Sequence, residues 1–298
     1  MIQKFRHIVH LVLAFFSDYL SLLGRPLFYQ LQFQYFKCEF DNKVQPKRLC
    51  LLGNGPTFNQ IEEHLEALKG FDFCAVNLSV NTDIFFRIKP KMFVIVDMMF
   101  WQQSEREGIK ECWENIQKID WDITICIPFN SPISMKRTFE KNHFVKVRRY
   151  SNNVWQPELL MANRLKMWLY KKGWVSPDGT NVSIGAIYAS ILNGYKEINL
   201  LGLEHSWMKD IKVNDKNEVV LINRHYYGDV EHVWRDYEGN PIKLVDFLAS
   251  QLQTFTGHLS LRSFADYLGD VRIINRTKGS YIDAYERETF EKMLESSR

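Results

Sequence analysis

The sequence predicts an α/β fold with a doubly wound, mostly parallel, Rossmann-like sheet, a lid and an N-terminal helical extension. Short apolar runs of strand length alternate with longer helical stretches, the order typical of a parallel sheet covered by helices. A glycine turn directly follows the first run. The 298 residues are 46% hydrophobic and 24% charged, as in globular proteins. We divide the chain into an amphipathic, aromatic helical segment over residues 1–45 and a Rossmann-like domain over residues 46–298.

Composition excludes several classes of protein. Lys and Arg number 38 against 35 Asp and Glu, and the net charge of +3 is too small for nucleic acid as a partner. The five cysteines lack CxxC spacing, which indicates free thiols in a reducing compartment rather than a zinc cluster or a disulfide scaffold. We therefore expect a cytoplasmic protein that binds no nucleic acid.

The first segment of the chain contains an apolar helical run over residues 8–23. It is shorter than the roughly 20 apolar residues that span a bilayer, it carries Asp18, and no small-residue cleavage site follows. Its apolar residues fall on one helical face, basic residues precede it, and an aromatic stretch follows at 27–36. This pattern is typical of a helix in a membrane interface, reached through residues 1–36. A helix packed on the domain or on another subunit of a homo-oligomer fits equally well.

The strands begin with the buried run at residues 48–52. Later apolar runs predict strands at 73–77, 92–96, 123–128, 198–202 and 271–274. Helical stretches between and after them lie at 101–119, 155–171, 184–192, 244–256 and 259–268. Residues 209–240 are polar, charged and aromatic, and they predict a long loop or lid, which is uncommon unless functional.

The first motif is the turn Gly53-Asn54-Gly55-Pro56-Thr57. Its glycines allow the backbone to approach a ligand, and the free N–H groups at the start of the next helix attract phosphate. The turn therefore fits a nucleotide or phosphate edge, although an ordinary strand-to-helix turn has the same composition. It is neither GxGxxG nor a P-loop, so NAD binding of the usual Rossmann type and ATP hydrolysis lose support.

A second motif surrounds the small-residue helix at 184–192. Thr180, Asn181 and Ser183 precede or open this helix, and they are good cap residues and good phosphate donors. The strand after the helix delivers Glu204, His205 and Ser206 at its carboxyl end, which is where ligands bind in open α/β sheets.

A third stretch, from Asn223 to Asp229, contains His225 followed by Tyr226. Taken in order over residues 48–285, the three stretches resemble the bacterial sialyltransferases of glycosyltransferase family 42. They also resemble the wider superfamily of 6-hydroxymethylpterin diphosphokinase-like proteins and motility-associated flagellin glycosyltransferases. The resemblance implies a sialyltransferase variant of the GT-A-like fold.

The resemblance also implies roles for individual residues. Asn54 and Asn77 would contact the cytidine monophosphate (CMP) part of the donor, Asp97 stands where a third asparagine is expected, and His225 would be the general base. A further set would complete the donor site: Gly53, Gly55, Thr180, Asn181, Ser183, Ser206 and Tyr226. His205 would lie near the reacting phosphate as a second catalytic residue. The family's pair of tyrosines is not reproduced, since Ser206 stands at the first position.

These resemblances predict an enzyme that moves sialic acid or a related nonulosonate from a CMP-sugar donor to a glycan or lipid-linked acceptor, with inversion. CMP leaves with one phosphate, so no metal and no cofactor is expected, and the imidazole pKa of about 6.5 suits a base at neutral pH. The enzyme would act in surface polysaccharide synthesis at the inner face of a bacterial cytoplasmic membrane. Two alternatives remain: a pterin diphosphokinase using ATP and magnesium, and a non-catalytic nucleotide-binding partner in a glycan-assembly complex.

Overall fold

The computed structural model describes residues 2–22, 39–40, 48–157, 160–179, 181–225, 228–236 and 239–295. For residues 2–8, 59–60, 160–162, 223–225 and 228–231 it describes the backbone alone. The strands, in chain order, are β1 Arg48–Leu52, β2 Asp72–Val76, β3 Met92–Val94, β4 Ile123–Pro128, β5 Val145–Tyr150, β6 Glu197–Leu201, β7 Ile211–Val213, β8 Val219–His225, β9 Gly228–Val233, β10 Arg272–Asn275 and β11 Glu286–Arg287.

The α-helices alternate with these strands. They are α1 Ile2–Leu22, α2 Phe58–Glu62, α3 Asp83–Ile88, α4 Met99–Gln102, α5 Glu107–Gln117, α6 Ile133–Phe139, α7 Leu160–Lys172, α8 Val182–Leu192, α9 Leu244–Leu268 and α10 Phe290–Glu295. Short 3-10 helices cover Leu65–Leu68, Asn77–Asn81 and Trp207–Lys209.

Eight strands form one sheet in the order β11-β10-β6-β1-β2-β3-β4-β5, and all neighbouring strands in it are parallel. From β1 the chain winds outward to β5, returns to β6 on the other side of β1, and winds outward again. This is the predicted doubly wound Rossmann-like α/β fold, which is confirmed. The winding reverses between β1 and β6, so a crevice opens where their carboxyl ends meet.

Helix α8 shows why its small residues matter for packing. The described side chains from Ser183 to Leu192 are all buried, and a Cβ at Gly185 would lie 2.7 Å from the Tyr150 hydroxyl. Glycine at this position lets the helix approach the sheet closely. The main apolar core joins α8 to β1, β2, β6 and α9, and it fixes the start of α8 next to the crevice.

The region 209–240 differs from the prediction of a long loop. It contains a three-stranded antiparallel sheet in the order β7-β8-β9, and the prediction was wrong in this respect. Val219, Val220 and Leu221 are buried in β8, and these branched, apolar residues favour a strand. The polar composition around them obscures that signal. We call residues 209–240 the lid, and Asp210 and Ile222 of this region line the pocket described below.

Helix α9 is continuous where the sequence predicts two helices separated near residue 257. A Cβ at Gly257 would lie 2.5 Å from Ile184 Cδ1. The glycine therefore serves the close contact between α9 and α8 and does not interrupt the helix. The predicted helix at 101–119 is divided instead, into α4 and α5.

Helix α1 packs against the domain through a narrow side. Ala14 and Asp18 are buried, and Trp155 Nε1 donates to the Asp18 carbonyl at 3.2 Å and to Ser21 Oγ at 3.1 Å. The opposite side carries exposed apolar residues, among them Leu13 at 63% and Phe16 at 57% exposure. Among the described helices, none combines the length and apolarity needed to cross a bilayer. The aromatic stretch 27–36 lies outside the described residues.

Candidate functional site

A pocket of about 200 Å³ occupies the crevice between the carboxyl ends of β1 and β6. Its wall is built by four stretches that follow strands or open a helix: residues 53–56, 76–77, 181–183 and 202–207. Asp210 and Ile222 of the lid complete it. Four segments that are far apart in the chain therefore meet at the point where a doubly wound sheet binds its ligands.

The pocket brings together eight of the residues selected from the sequence: Gly53, Asn54, Gly55, Asn77, Asn181, Ser183, His205 and Ser206. Asp97 does not line it. The Asp97 carboxylate instead accepts a hydrogen bond from the Met99 N–H at 3.0 Å, at the start of α4. Asp97 therefore makes a local contact outside the pocket.

Three other selected residues are described in part or not at all. Thr180 and Tyr226 lie outside the described residues. The backbone of His225 ends β8 and pairs with Gly228, while its side chain is outside the description. Ile222 of the same strand lines the pocket.

The glycine turn after β1 uses its N–H groups internally. Gly53 N donates to the Leu201 carbonyl at 2.8 Å, Gly55 N donates to the Gly202 carbonyl at 2.9 Å, and Thr57 N donates to Glu204 Oε1 at 2.8 Å. These three N–H groups are therefore not free to bind a phosphate. The Glu204 carboxylate therefore lies directly against this turn.

The glycines of this turn are required by contact with the turn after β6. A Cβ at Gly53 would lie 2.3 Å from the Gly202 carbonyl oxygen. A Cβ at Gly55 would lie 1.6 Å from Glu204 Oε2 and 2.7 Å from the Gly202 carbonyl oxygen. Distances this short cannot be tolerated, so the two turns can meet only because neither glycine has a side chain.

The start of α8 is closed by a side-chain cap. Asn181 Oδ1 accepts from the Ser183 N–H at 3.0 Å and from the Ser183 hydroxyl at 2.6 Å. A hydroxyl has one hydrogen to donate, so Ser183 Oγ accepts in its 3.3 Å contact with His205 Nε2. His205 therefore carries its proton on Nε2, and Nδ1 is left as an acceptor.

His205 is a neutral group in a strained backbone conformation. Its φ of 48° lies in the left-handed region, which non-glycine residues seldom adopt. Burial lowers the pKa of His205 to about 3, so the imidazole is uncharged at neutral pH. It can orient Ser183 and accept a hydrogen bond from a ligand, but it holds no extra proton to donate as an acid.

His258 and Tyr285, two buried residues that the sequence analysis did not select, lie near His205. The ring of His258 lies 5.1 Å from the ring of His205, centroid to centroid, and His258 Nδ1 is 2.9 Å from the Tyr285 hydroxyl. Burial, followed by the proximity of His205, lowers the pKa of His258 well below its usual value. Both residues come from later elements, α9 and the segment before β11, and no local motif marks them.

Three of the pocket residues each keep one buried polar atom without a hydrogen-bond partner in the described part of the chain. These atoms are Asn77 Oδ1, Glu204 Oε2 and His205 Nδ1. A buried polar atom without a partner costs about 1–3 kcal/mol. A ligand with hydrogen-bond donors would recover part of that cost. Across the described ranges, no group of three or more His, Cys, Asp or Glu side chains is arranged to hold a metal ion.

Comparison with known proteins identifies no family for this chain. No protein-family model matches the chain, and no curated protein matches it. Among solved structures, the chain is similar to the MAf glycosyltransferase from Magnetospirillum magneticum AMB-1, with a TM-score of 0.46 and 11% sequence identity. The match covers 86% of this chain and 37% of that one. Neither activity nor substrate follows from a similarity at this level.

Proposed function

We propose that this chain is a glycosyltransferase that moves a sugar acid from a CMP-activated donor to a hydroxyl of a glycan or lipid-linked acceptor. The observation that carries the proposal is the convergence of separate motifs on one pocket. Asn54, Asn77 and the Asn181–Ser183 cap come from three separate parts of the chain, and all of them line the crevice between β1 and β6.

The chemical nature of the pocket fits a nucleoside. Its orphaned atoms are acceptors, and a nucleoside offers ribose hydroxyls and, in cytosine, an amino group as donors. Burying those groups against Asn77, Glu204 and His205 would satisfy both sides. The sugar acid would then extend from the pocket toward the lid.

The reaction we propose is a single displacement. The acceptor oxygen attacks the anomeric carbon, the bond from that carbon to the CMP phosphate oxygen breaks, and CMP leaves with the electron pair. His225 takes the acceptor's proton as general base, a role worth about 10²–10⁴ in rate. Support for His225 comes from the sequence resemblance alone.

The lid and α1 have distinct roles in this proposal. Closure of the lid over the donor would exclude water and limit hydrolysis of the activated sugar. The exposed apolar side of α1, which includes Leu13, Phe16 and Leu20, would lie in the membrane interface beside lipid-linked acceptors. Both roles would increase transfer relative to hydrolysis.

The test replaces the base and keeps the pocket. His225→Asn should lower sugar transfer from CMP-sialic acid to membrane acceptors about 100-fold or more, while CMP affinity stays within about 2-fold of wild type. His232→Asn is the matched control, because His232 is exposed on the neighbouring strand β9. Transfer by His225→Asn at the wild-type rate would overturn the assignment of the base, and absence of transfer by the wild type would overturn the proposed activity.

A further inference from the structure

We infer that Glu204 is the specificity-determining residue of the pocket: its free carboxylate oxygen receives a hydrogen-bond donor of a nucleoside and excludes phosphate from the glycine turn. The donor is a ribose hydroxyl or a base amino group. The inference rests on the proposed function only for the choice of CMP as the nucleotide. The hydrogen-bond acceptor, the Glu204 carboxylate, is part of this chain whichever nucleotide binds.

The position of Glu204 is fixed on both sides. Its carboxylate oxygen Oε1 accepts from the Thr57 N–H at 2.8 Å, a contact between residues 147 positions apart. Its backbone carbonyl accepts from the Tyr281 N–H at 2.8 Å. The residue is 9% exposed and lines the pocket. The carboxylate is therefore held in place at the wall before any ligand arrives.

The second oxygen of this carboxylate is unsatisfied. Glu204 Oε2 is buried and has no hydrogen-bond partner among the described residues. A cap on Thr57 needs only one oxygen, so capping alone does not account for the second one. Gly55 makes room for it, since any Cβ at that position would lie 1.6 Å from Oε2. The fold thus maintains a buried acceptor at the edge of a ligand-sized pocket.

The chemistry of a carboxylate decides what can bind there. It accepts hydrogen bonds and donates none, so its partner must carry an O–H or N–H group. It also repels a phosphate, and the turn's Gly53, Gly55 and Thr57 N–H groups are already engaged. The glycine turn that binds phosphate in many Rossmann folds is therefore reserved here for an uncharged, donor-bearing part of the ligand.

The experiment compares Glu204→Gln with wild type by titration calorimetry with CMP. The glutamine keeps one oxygen for Thr57 and replaces the other by an amino group, which donates where the ligand also donates. We expect CMP to bind about 10- to 100-fold more weakly, the range for a lost hydrogen bond to a charged group. Glu63→Gln makes the same chemical change at an exposed position beside α2 and should leave the affinity unchanged.

Nucleotide analogues identify the donor group. Among 2′-deoxy-CMP, 3′-deoxy-CMP and UMP, the analogue that lacks the group facing Glu204 should bind wild type about 10-fold or more weakly than CMP. The same analogue should bind Glu204→Gln no more weakly than CMP does, because the interaction is already lost. This equality separates a direct contact from a general loss of pocket structure.

The outcomes also separate this inference from the proposed function. CMP binding to Glu204→Gln at wild-type affinity would overturn the inference and leave the transferase proposal standing. If Glu204→Gln does not fold, wild type is measured alone. Equal affinity of wild type for CMP, 2′-deoxy-CMP, 3′-deoxy-CMP and UMP would then overturn the inference. If CMP does not bind but AMP, GMP or UMP does, the proposed donor is wrong, and the variant is tested with the nucleotide that binds. Failure of every nucleoside monophosphate to bind overturns both.

Discussion

Replacing Gly53 by alanine tests the backbone contact that forms the pocket. The added Cβ would lie 2.3 Å from the Gly202 carbonyl oxygen and 2.5 Å from Leu203 Cδ2. The leucine side chain can turn away, but the carbonyl belongs to a turn held by the Gly53–Leu201 and Gly55–Gly202 hydrogen bonds. Overpacking against such atoms costs about 1–3 kcal/mol, and we expect about 3 kcal/mol because backbone must move.

The measurement is urea unfolding followed by tryptophan fluorescence, with Gly108→Ala as the control. No described atom lies within 4 Å of a Cβ at Gly108, which is in helix α5, so alanine there should stabilise the chain by about 0.5–1 kcal/mol. The two alanines should therefore shift the midpoint in opposite directions at a similar slope. A Gly53→Ala midpoint equal to that of wild type would refute the contact between the two turns.

Further predictions concern pH, the N-terminal segment and the membrane. Because burial holds His205 and His258 neutral while unfolded histidines titrate near about 6.5, the unfolded state binds more protons below that pH, so stability falls as pH falls. Between pH 7.5 and 5.5 the loss in unfolding free energy should be about 1.4 kcal/mol for each histidine, and a flat profile in urea unfolding would contradict it. Glu39→Ala removes the carboxylate that accepts hydrogen bonds from the Arg149 side chain at 2.9 and 3.1 Å. It should lower the unfolding free energy by about 2 kcal/mol, and an unchanged unfolding free energy by calorimetry would show that this ion pair does not contribute to stability. Leu13→Glu on α1 should lower the affinity for anionic vesicles, measured by co-sedimentation, about 10-fold. If the wild-type protein does not sediment with vesicles, the proposed membrane role of α1 is wrong.

Much of the sheet is predictable from local sequence. The bounds of β1 and β4 follow directly from their apolar runs, since both strands are buried on two faces. Strand β5 was missed because Arg148 and Arg149 suggest an exposed segment. Both are buried, and Glu39, far away in the chain, accepts hydrogen bonds from Arg149.

The pocket could be predicted in part, because some of its residues are recognisable from the local sequence. Residues that follow strands or open a helix, such as Asn54 and Asn181, are marked by turn and cap chemistry within a few positions. The resemblance places Asp97 with them, yet the Asp97 carboxylate accepts a hydrogen bond from the Met99 N–H and does not line the pocket. The role of Glu204 depends on a contact with Thr57 across 147 positions, which no local pattern can reveal.

We propose that the crevice between β1 and β6 binds a cytosine nucleotide without a metal. A thermal-shift panel of CMP, CDP, UDP, GDP and ATP, each with and without magnesium, tests it most directly, because a ligand that binds the folded state raises the unfolding temperature. We expect CMP to stabilise the chain most, by the same amount with magnesium and with a chelator. Stabilisation by ATP that requires magnesium, with no effect of CMP, would contradict it.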